Sequence, residues 1–220
     1  MCSIYGMKQV SHIWNHTFDS TVRSWGFRHM SSEWCVYLRV SDTGTTIFAL
    51  HIDDILSASS SLAELERFRT ALKSCWDISD LSPTNFALGI SITRCLPQRT
   101  VSIQQTAFID RLLVKFNQTT AHPCDTPMAA GLVLRHPDKS IPVDPATLLW
   151  MQCTPYRELV GSLNYLAVAT RPDLAFAIGR LASFLDCYHP EHWTATIRVL
   201  RRSTSGKGVC NWCARRQKSG

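Results

Sequence analysis

The sequence of 220 residues contains no uninterrupted run of 18 or more apolar residues. A helix needs about 20 such residues to cross a bilayer, so no membrane-spanning segment is predicted. The first residues also lack the apolar stretch behind a basic start that marks a secretory signal. We therefore expect an intracellular protein, cytoplasmic or nuclear, without a membrane partner.

Charged residues are scarce, at 18% of the chain, and the net charge is +6. Six of the cations lie in residues 201–220, which contain no acidic residue, and this leaves 17 basic side chains against 17 acidic ones elsewhere. The body of the chain is therefore neutral, and the excess belongs to a basic tail. We predict that this tail is solvated and disordered, with non-specific binding of nucleic acid as the alternative.

The nine cysteines are odd in number and scattered, so no disulfide framework is predicted. Cys210 and Cys213 have the CxxC spacing of zinc sites, and His189 and His192 lie upstream. In a chain with this many cysteines one such pair arises readily by chance, and the ligand order is unusual for zinc modules. We interpret the spacing as coincidence.

The hydrophobic pattern predicts helices that alternate with antiparallel strand pairs. Strands are expected at 35–40, 45–51, 54–58, 86–93 and 100–104, and helices at 10–27, 61–76, 106–117, 156–169, 172–186 and 190–202. Residues 118–150 hold five prolines and little periodicity, so a linker is predicted there. Antiparallel strands with helices on one side indicate an α+β fold.

Asp53 and Asp54 stand side by side inside the apolar run 47–56. Burying such a pair is unfavourable by several kcal/mol, so the two carboxylates must reach the surface. One interpretation is a plain Asp-Asp turn between two strands, which is the better interpretation of the pair alone. The other is a tight hairpin that presents carboxylate oxygens to Mg²⁺, as in sites of nucleotidyl transfer.

Six segments, in the order given along the chain, change which of these two interpretations is favoured. They are Ser3-Ile4-Tyr5-Gly6-Met7-Lys8-Gln9, His51-Ile52-Asp53-Asp54-Ile55, Asn85-Phe86-Ala87-Leu88-Gly89-Ile90, Thr126-Pro127-Met128, the run 156–166 and the run 170–174. Together they resemble motifs of the reverse transcriptase of copia-type LTR retrotransposons, which is part of a Pol polyprotein. The resemblance extends from about residue 3 to residue 201 and favours the metal-binding hairpin.

The resemblance implies a fold and a division into domains. It implies an α+β remnant of a polymerase palm, with antiparallel strands and helices, followed by a mostly helical C-terminal segment. The expected divisions are a partial palm at 1–93, a thumb-like hairpin and helix at 94–120, a Pro-rich linker at 121–150, a helical segment at 151–201 and the basic tail at 202–220.

The resemblance also implies RNA-directed DNA polymerisation, with an RNA template and a DNA primer as partners. Two Mg²⁺ ions would serve the nucleotidyl transfer in the intact enzyme. Asp53 would be a catalytic metal ligand, and Asp54 would be a supporting carboxylate and the second metal-binding residue.

Five further residues acquire expected roles from the same resemblance. Gly6, Lys8, Gln9 and His51 would lie near the nucleotide and template, and Gly89 would help to position the primer end. Two alternatives stay open from the residues themselves: Lys8 as a solvated surface lysine, and Gly89 as the mark of a β-bulge.

The chain also departs from the family pattern. The family's catalytic set includes a further aspartate on an earlier strand, which has no match here, and His51 replaces a tyrosine. Two adjacent carboxylates are too few ligands for two ions, so we predict that this chain alone is inactive as a polymerase. The alternatives are a non-catalytic protein that binds nucleic acid or another Pol fragment, and a functionless relic.

Overall fold

The computed structural model describes residues 10–81, 83–136, 143–205 and 210–213. The chain divides into two compact units, residues 1–82 and 83–220. The described residues form antiparallel sheets and seven α-helices, which confirms the predicted α+β fold. The segment 86–93, expected from the resemblance to lie in the partial palm, forms two strands rather than one and belongs to the second unit. Within the described ranges, no helix combines the length and apolar character needed to span a bilayer.

The first unit is a four-stranded antiparallel sheet with two helices on one face. Its strands follow chain order, β1-β2-β3-β4. The elements are α1 (Val10–Ser24), β1 (Arg28–Met30), β2 (Glu33–Ser41), β3 (Gly44–His51), β4 (Asp54–Ser59) and α2 (Leu62–Cys75).

Aromatic side chains form the core of this unit. Tyr37 and Phe48 are opposite each other on β2 and β3, and their rings stack at 4.7 Å between centroids. Phe68 of α2 stacks on the other side of Phe48 at 4.9 Å, and Phe18 of α1 meets the ring of Phe48 edge-on. All four side chains are almost completely buried, so one face of the sheet is closed by the helices.

A buried acidic residue joins α2 to the sheet. Ser61 caps α2 by accepting the Glu64 N–H, and the Glu64 side chain bonds elsewhere. It accepts hydrogen bonds from Arg39 of β2, from Arg67 and from Thr43. The Thr43 hydroxyl, followed by the arginines, lowers the pKa of the Glu64 carboxyl. These hydrogen bonds fix the first turn of α2 to strand β2 and to the β2–β3 turn.

Four of the seven tryptophans pack against a hydrophobic core. Trp14, Trp25 and Trp76 pack against the core of the first unit, and Trp193 packs against that of the second. Trp34 on β2 is 73% exposed. Most of the tryptophans therefore stabilise the interior and are not free to stack on bases.

The second unit combines another four-stranded antiparallel sheet, in the order β5-β6-β7-β8, with five helices. The elements are β5 (Phe86–Ala87), β6 (Ile90–Cys95), β7 (Thr100–Gln104), α3 (Thr106–Lys115), α4 (Pro145–Cys153), α5 (Tyr156–Ala169), a 3₁₀ turn (Pro172–Leu174), α6 (Ala175–Ala182), α7 (Pro190–Ser203) and β8 (Cys210–Cys213).

Two of these elements lie where the sequence predicts irregular chain. Helix α4 begins inside the predicted linker, because the Asp144 side chain accepts the N–H groups of Ala146 and Thr147 and Pro145 occupies the first turn. Strand β8 lies inside the predicted basic tail and pairs antiparallel with β7.

Helix α5 is the centre of the second unit. Tyr156, Leu159, Leu163 and Leu166 recur at helical spacing and are completely buried. They belong to one hydrophobic cluster with residues of α3, α6 and α7. Burial on this scale contributes about 2 kcal/mol for each leucine and holds α5 firmly in the unit.

A buried arginine fastens the end of α7, in an arrangement we name the Arg171 clasp (Arg171, Asp173 and the carbonyls of Ser203 and Ser205). The Arg171 guanidinium donates to both carboxylate oxygens of Asp173, at 2.8 and 2.7 Å. It also donates to the carbonyls of Ser203 at 2.7 Å and Ser205 at 3.0 Å. A cation at these C-terminal carbonyls satisfies groups that the helix leaves unpaired.

The two histidines upstream of the CxxC spacing have a structural role. His192 is completely buried, and its Nδ1 accepts the N–H of His189, which closes a capping box at the start of α7. Burial, above all, lowers the pKa of His192. Both histidines are therefore engaged in starting a helix.

Candidate active site

The two adjacent carboxylates lie at the tip of the β3–β4 hairpin. His51 at the end of β3 is opposite Asp54 at the start of β4, and Ile52 and Asp53 form the two-residue turn between them. The next pair, Leu50 and Ile55, faces the aromatic core. The hairpin is thus anchored in the core one residue pair below the carboxylates.

The turn holds Ile52 in an unusual backbone conformation. Its φ is +56°, and its side chain is 75% exposed. Two-residue hairpin turns with positive φ at the first central position ordinarily have glycine there. A left-handed conformation costs a residue with a Cβ roughly 1–2 kcal/mol, and such costs cluster at functional sites.

Both carboxylates are exposed, and strand alternation fixes the face on which Asp54 lies. Side chains alternate along β3 and β4, so Asp54 and His51 lie on the face away from the aromatic core. Ile47 and Leu56 share this face and are 37% and 43% exposed. The two described helices of the first unit, α1 and α2, pack on the other face, so within residues 10–81 the carboxylates adjoin an uncovered sheet surface.

The carboxylate oxygens of Asp53 and Asp54 are of the chemical type that binds Mg²⁺. Mg²⁺ binds carboxylate oxygens together with water and substrate phosphates, and the exposed pair at 53 and 54 can supply such oxygens. Among the residues that the structure describes, no group of three or more His, Cys, Asp or Glu side chains is placed to hold one ion. The hairpin therefore offers part of a ligand set.

Gly89 lies in a second tight hairpin turn, between β5 and β6. Ala87 pairs with Ile90, and the two residues between them have positive φ, +51° at Leu88 and +79° at Gly89. Positive φ at both central positions is the requirement of a type I′ turn, which glycine meets at no steric cost. The glycine therefore marks a turn and not the bulge that the sequence left open.

Tyr165 of α5 holds this second turn, a contact that sequence reasoning missed. Its hydroxyl donates to the Leu88 carbonyl at 2.6 Å, and a Cβ added at Gly89 would lie 2.8 Å from that hydroxyl. The Phe108 ring of α3 packs edge-on against the Tyr165 ring, with centroids 5.1 Å apart. The one signal in the sequence was an aromatic residue on the side of α5 opposite its buried leucines.

The remaining predicted site residues divide by location. The structure brings His51, Asp53 and Asp54 together at one hairpin tip, whereas Gly89 belongs to the other unit. Gly6, Lys8 and Gln9 lie outside the described residues.

Comparison with protein families gives one match and several relatives. Residues 2–130 match the family model described as reverse transcriptase (RNA-dependent DNA polymerase). The chain is 35% identical over 211 residues to the retrovirus-related Pol polyprotein from transposon TNT 1-94 of Nicotiana tabacum. It is 32% identical over 200 residues to the corresponding polyprotein from transposon RE2 of Arabidopsis thaliana.

The alignments cover most of this chain and little of those polyproteins. They include 94% of the chain and 16% of the tobacco protein, and 90% of the chain and 13% of the Arabidopsis protein. A putative transposon Ty5-1 protein of Saccharomyces cerevisiae is 26% identical over 94% of the chain and 64% of its own length. No solved structure matches the chain.

Proposed function

Because this chain belongs to the reverse transcriptase family of copia-type retrotransposon Pol polyproteins, we propose that it supplies the carboxylate hairpin of an RNA-directed DNA polymerase. The observation that carries this proposal is the pair Asp53 and Asp54, exposed at the tip of a core-anchored two-residue turn. The positive φ of Ile52 beside these two acids is consistent with the proposal, since such backbone strain clusters at functional sites.

The reaction is attack of a primer 3′-hydroxyl on the α-phosphate of a deoxynucleoside triphosphate, with loss of pyrophosphate. Asp53 would hold Mg²⁺, and Asp54 would support it as a neighbouring carboxylate. The chemistry supplied at such a site is stabilisation of the attacking and leaving oxygens by two Mg²⁺ ions. The role of this chain is to fix the carboxylates at the rim of an open sheet face, where a primer end and a triphosphate have access.

Other residues take roles in the reaction by their match to the family's motifs. His51 shares the sheet face of Asp54 and lies beside the reacting nucleotide. Gly6, Lys8 and Gln9 contact the nucleotide and template. Gly89, at its tight turn, positions the primer end through its backbone.

We propose further that this chain does not extend a primer by itself. Two-metal transfer needs more carboxylate ligands than the hairpin offers, and no third ligand joins the pair among the described residues. Primer extension on an RNA template with Mg²⁺ or Mn²⁺ tests this directly. Template-dependent incorporation that Asp53→Asn abolishes would contradict it.

Metal binding at the hairpin can be tested without catalysis. Mn²⁺ is paramagnetic and broadens the NMR signals of nearby amides, so we expect broadening of residues 51–55 at low Mn²⁺ concentration. Asp53→Asn should remove most of it. The matched control is Asp42→Asn, which changes an exposed aspartate in the β2–β3 turn of the same sheet. Equal loss in both variants, or no broadening at 51–55, would contradict the proposed site.

A second candidate function is binding of nucleic acid through the basic tail. It is favoured by the six cations of residues 201–220, which have no acidic neighbour in the sequence. Such binding weakens steeply with salt. Replacing Lys207, Arg215, Arg216 and Lys218 by glutamine keeps α7 and the Arg171 clasp intact. Salt-sensitive binding that this variant loses, without polymerisation by the parent chain, would support the second function.

A further inference from the structure

We infer that Tyr165 is a positioning residue, which orients the Leu88–Gly89 turn so that its backbone N–H can bind a phosphate of the primer strand. The inference rests on the proposed function for the ligand, whereas the contact itself is a feature of the second unit alone. It assigns a role in primer positioning to the helical segment after the thumb.

The hydrogen bond from Tyr165 fixes the direction of one peptide group. The hydroxyl holds the Leu88 carbonyl at 2.6 Å. In a planar trans peptide the carbonyl and the next N–H point in opposite directions. The Gly89 N–H must therefore point away from α5, and a backbone donor fixed in this way is a ready contact for an anionic oxygen.

The turn needs such support because one of its two strands is short. Strand β6 is held in the sheet by β7, but β5 has two residues and pairs with β6 at only two positions. Phe86 on β5 is 65% exposed, so burial of its side chain contributes little to holding the turn. Tyr165 provides a fixed point, since Leu163 and Leu166 on either side of it are completely buried and the Phe108 ring packs against its own ring.

The close approach also explains why glycine stands at position 89. Its φ of +79° disfavours a side chain, and a Cβ there would lie 2.8 Å from the Tyr165 hydroxyl. Two separate constraints thus meet at one residue, and the second exists only because of Tyr165. A turn that only connects two strands could lie farther from α5.

The first measurement tests whether Tyr165 holds the turn. Tyr165→Phe removes the hydroxyl and keeps the ring on Phe108. We expect amide hydrogen exchange in residues 86–91 to rise roughly fivefold, the factor that one hydrogen bond supports. The matched control is Tyr188→Phe, which removes a hydroxyl bound to the Thr154 carbonyl at 3.0 Å in the same unit. Unchanged exchange at 86–91 in Tyr165→Phe would overturn the inference.

The second measurement tests whether the held turn serves the primer. The probe is a DNA primer annealed to an RNA template, with 4-thiothymidine at the primer 3′ end, irradiated with the full chain. We expect a cross-link to the peptide that contains Leu88 and Gly89. Its yield should fall roughly fivefold in Tyr165→Phe and stay unchanged in Tyr188→Phe. A merely structural tyrosine would lower the melting temperature without moving the cross-link.

The outcomes separate the two proposals. If the wild-type chain cross-links at 88–89 and Tyr165→Phe cross-links equally well, the inference is wrong and the proposed function stands. If the wild-type chain gives no cross-link at 88–89 while Mn²⁺ still broadens residues 51–55, primer contact at the turn is wrong and the metal site stands. If both signals are absent, the proposed function fails and the inference fails with it.

Discussion

Two hairpin turns of equal length differ in what holds them. The Ile52–Asp53 turn has a strained isoleucine, exposed side chains and an anchor that begins one pair below, at Leu50 and Ile55. The Leu88–Gly89 turn has glycine at its second position and a tyrosine hydroxyl bound to its carbonyl. One turn presents side-chain carboxylates, and the other presents its backbone.

The difference follows from what each turn has to offer a ligand. Carboxylates at a tip need exposure, and a rigid strand pair beneath them is sufficient to place them. A backbone donor has no side chain to steer it, so its peptide plane must be fixed from outside. The comparison predicts that the first turn tolerates relief of strain, whereas the second fails when its support is removed.

The largest expected effect comes from removing the Arg171 clasp, which lies in the same unit as the second turn. Arg171→Ala leaves the carbonyls of Ser203 and Ser205 without their donor, and losing two charge-assisted hydrogen bonds costs roughly 3 kcal/mol in total. We expect that loss in the free energy of unfolding of the second unit, measured in urea. Arg180→Ala, an exposed arginine on α6, is the control and should change stability by less than about 0.5 kcal/mol.

The same clasp gives a pH signature. Its arginine lowers the pKa of the Asp173 carboxyl from the usual 3.8. A depressed pKa in the folded state stabilises the protein above 3.8, and this contribution is lost as pH falls through the lowered pKa. The acid limb of the stability curve should therefore flatten in Asp173→Asn. If the variant loses stability at acid pH just as the wild type does, the Arg171–Asp173 ion pair does not contribute to the pH dependence.

An intermediate effect tests the fit between turn and helix. Gly89→Ala puts a Cβ at positive φ and against the Tyr165 hydroxyl, so we expect a loss of roughly 2 kcal/mol. In a Tyr165→Phe background the clash and the hydrogen bond are already gone. The loss from Gly89→Ala should then be smaller by at least about 0.5 kcal/mol in a double-mutant cycle. Simple additivity would mean that the two residues act independently.

The smallest expected effect is a gain in stability, and it tests the difference between the two turns. Ile52→Gly relieves the left-handed conformation and loses little burial, so we expect the first unit to gain about 1 kcal/mol. Val40→Gly, an exposed branched residue in the ordinary conformation of β2, should instead lose about 1 kcal/mol. If both variants lose stability, the isoleucine is not strained.

Much of this arrangement can be predicted from sequence, for identifiable reasons. The carboxylate hairpin follows from two acids within one apolar run, and α5 and α7 follow from helical spacing with proline near their starts. Helix α4 was missed because proline count outweighed the local signal of Asp144 followed by Pro145. For α4, the capping residue and the proline after it predict the start of the helix better than the proline content of the segment does.

The contacts that support the second turn could not be predicted. Tyr165 binds a carbonyl 77 residues away, and every residue has a carbonyl, so no sequence pattern marks Leu88 as its acceptor. The same holds for Arg171, whose partners at Ser203 and Ser205 are also backbone carbonyls. Two side chains that bind each other can be recognised in a sequence by their complementary charge or polarity. A side chain that binds a backbone carbonyl has no such recognisable partner.

The Arg171 clasp sets a condition on synthesis. A nascent chain that has left the ribosome only as far as residue 202 contains the guanidinium and most of the helices that enclose it, but not the carbonyls of Ser203 and Ser205. Asp173 pairs with part of the guanidinium at that stage, but Nη1 still lacks its two acceptors, so the enclosure is less favourable until those carbonyls emerge. The second unit should therefore close late, as a single event, when the final turn of α7 clears the exit tunnel.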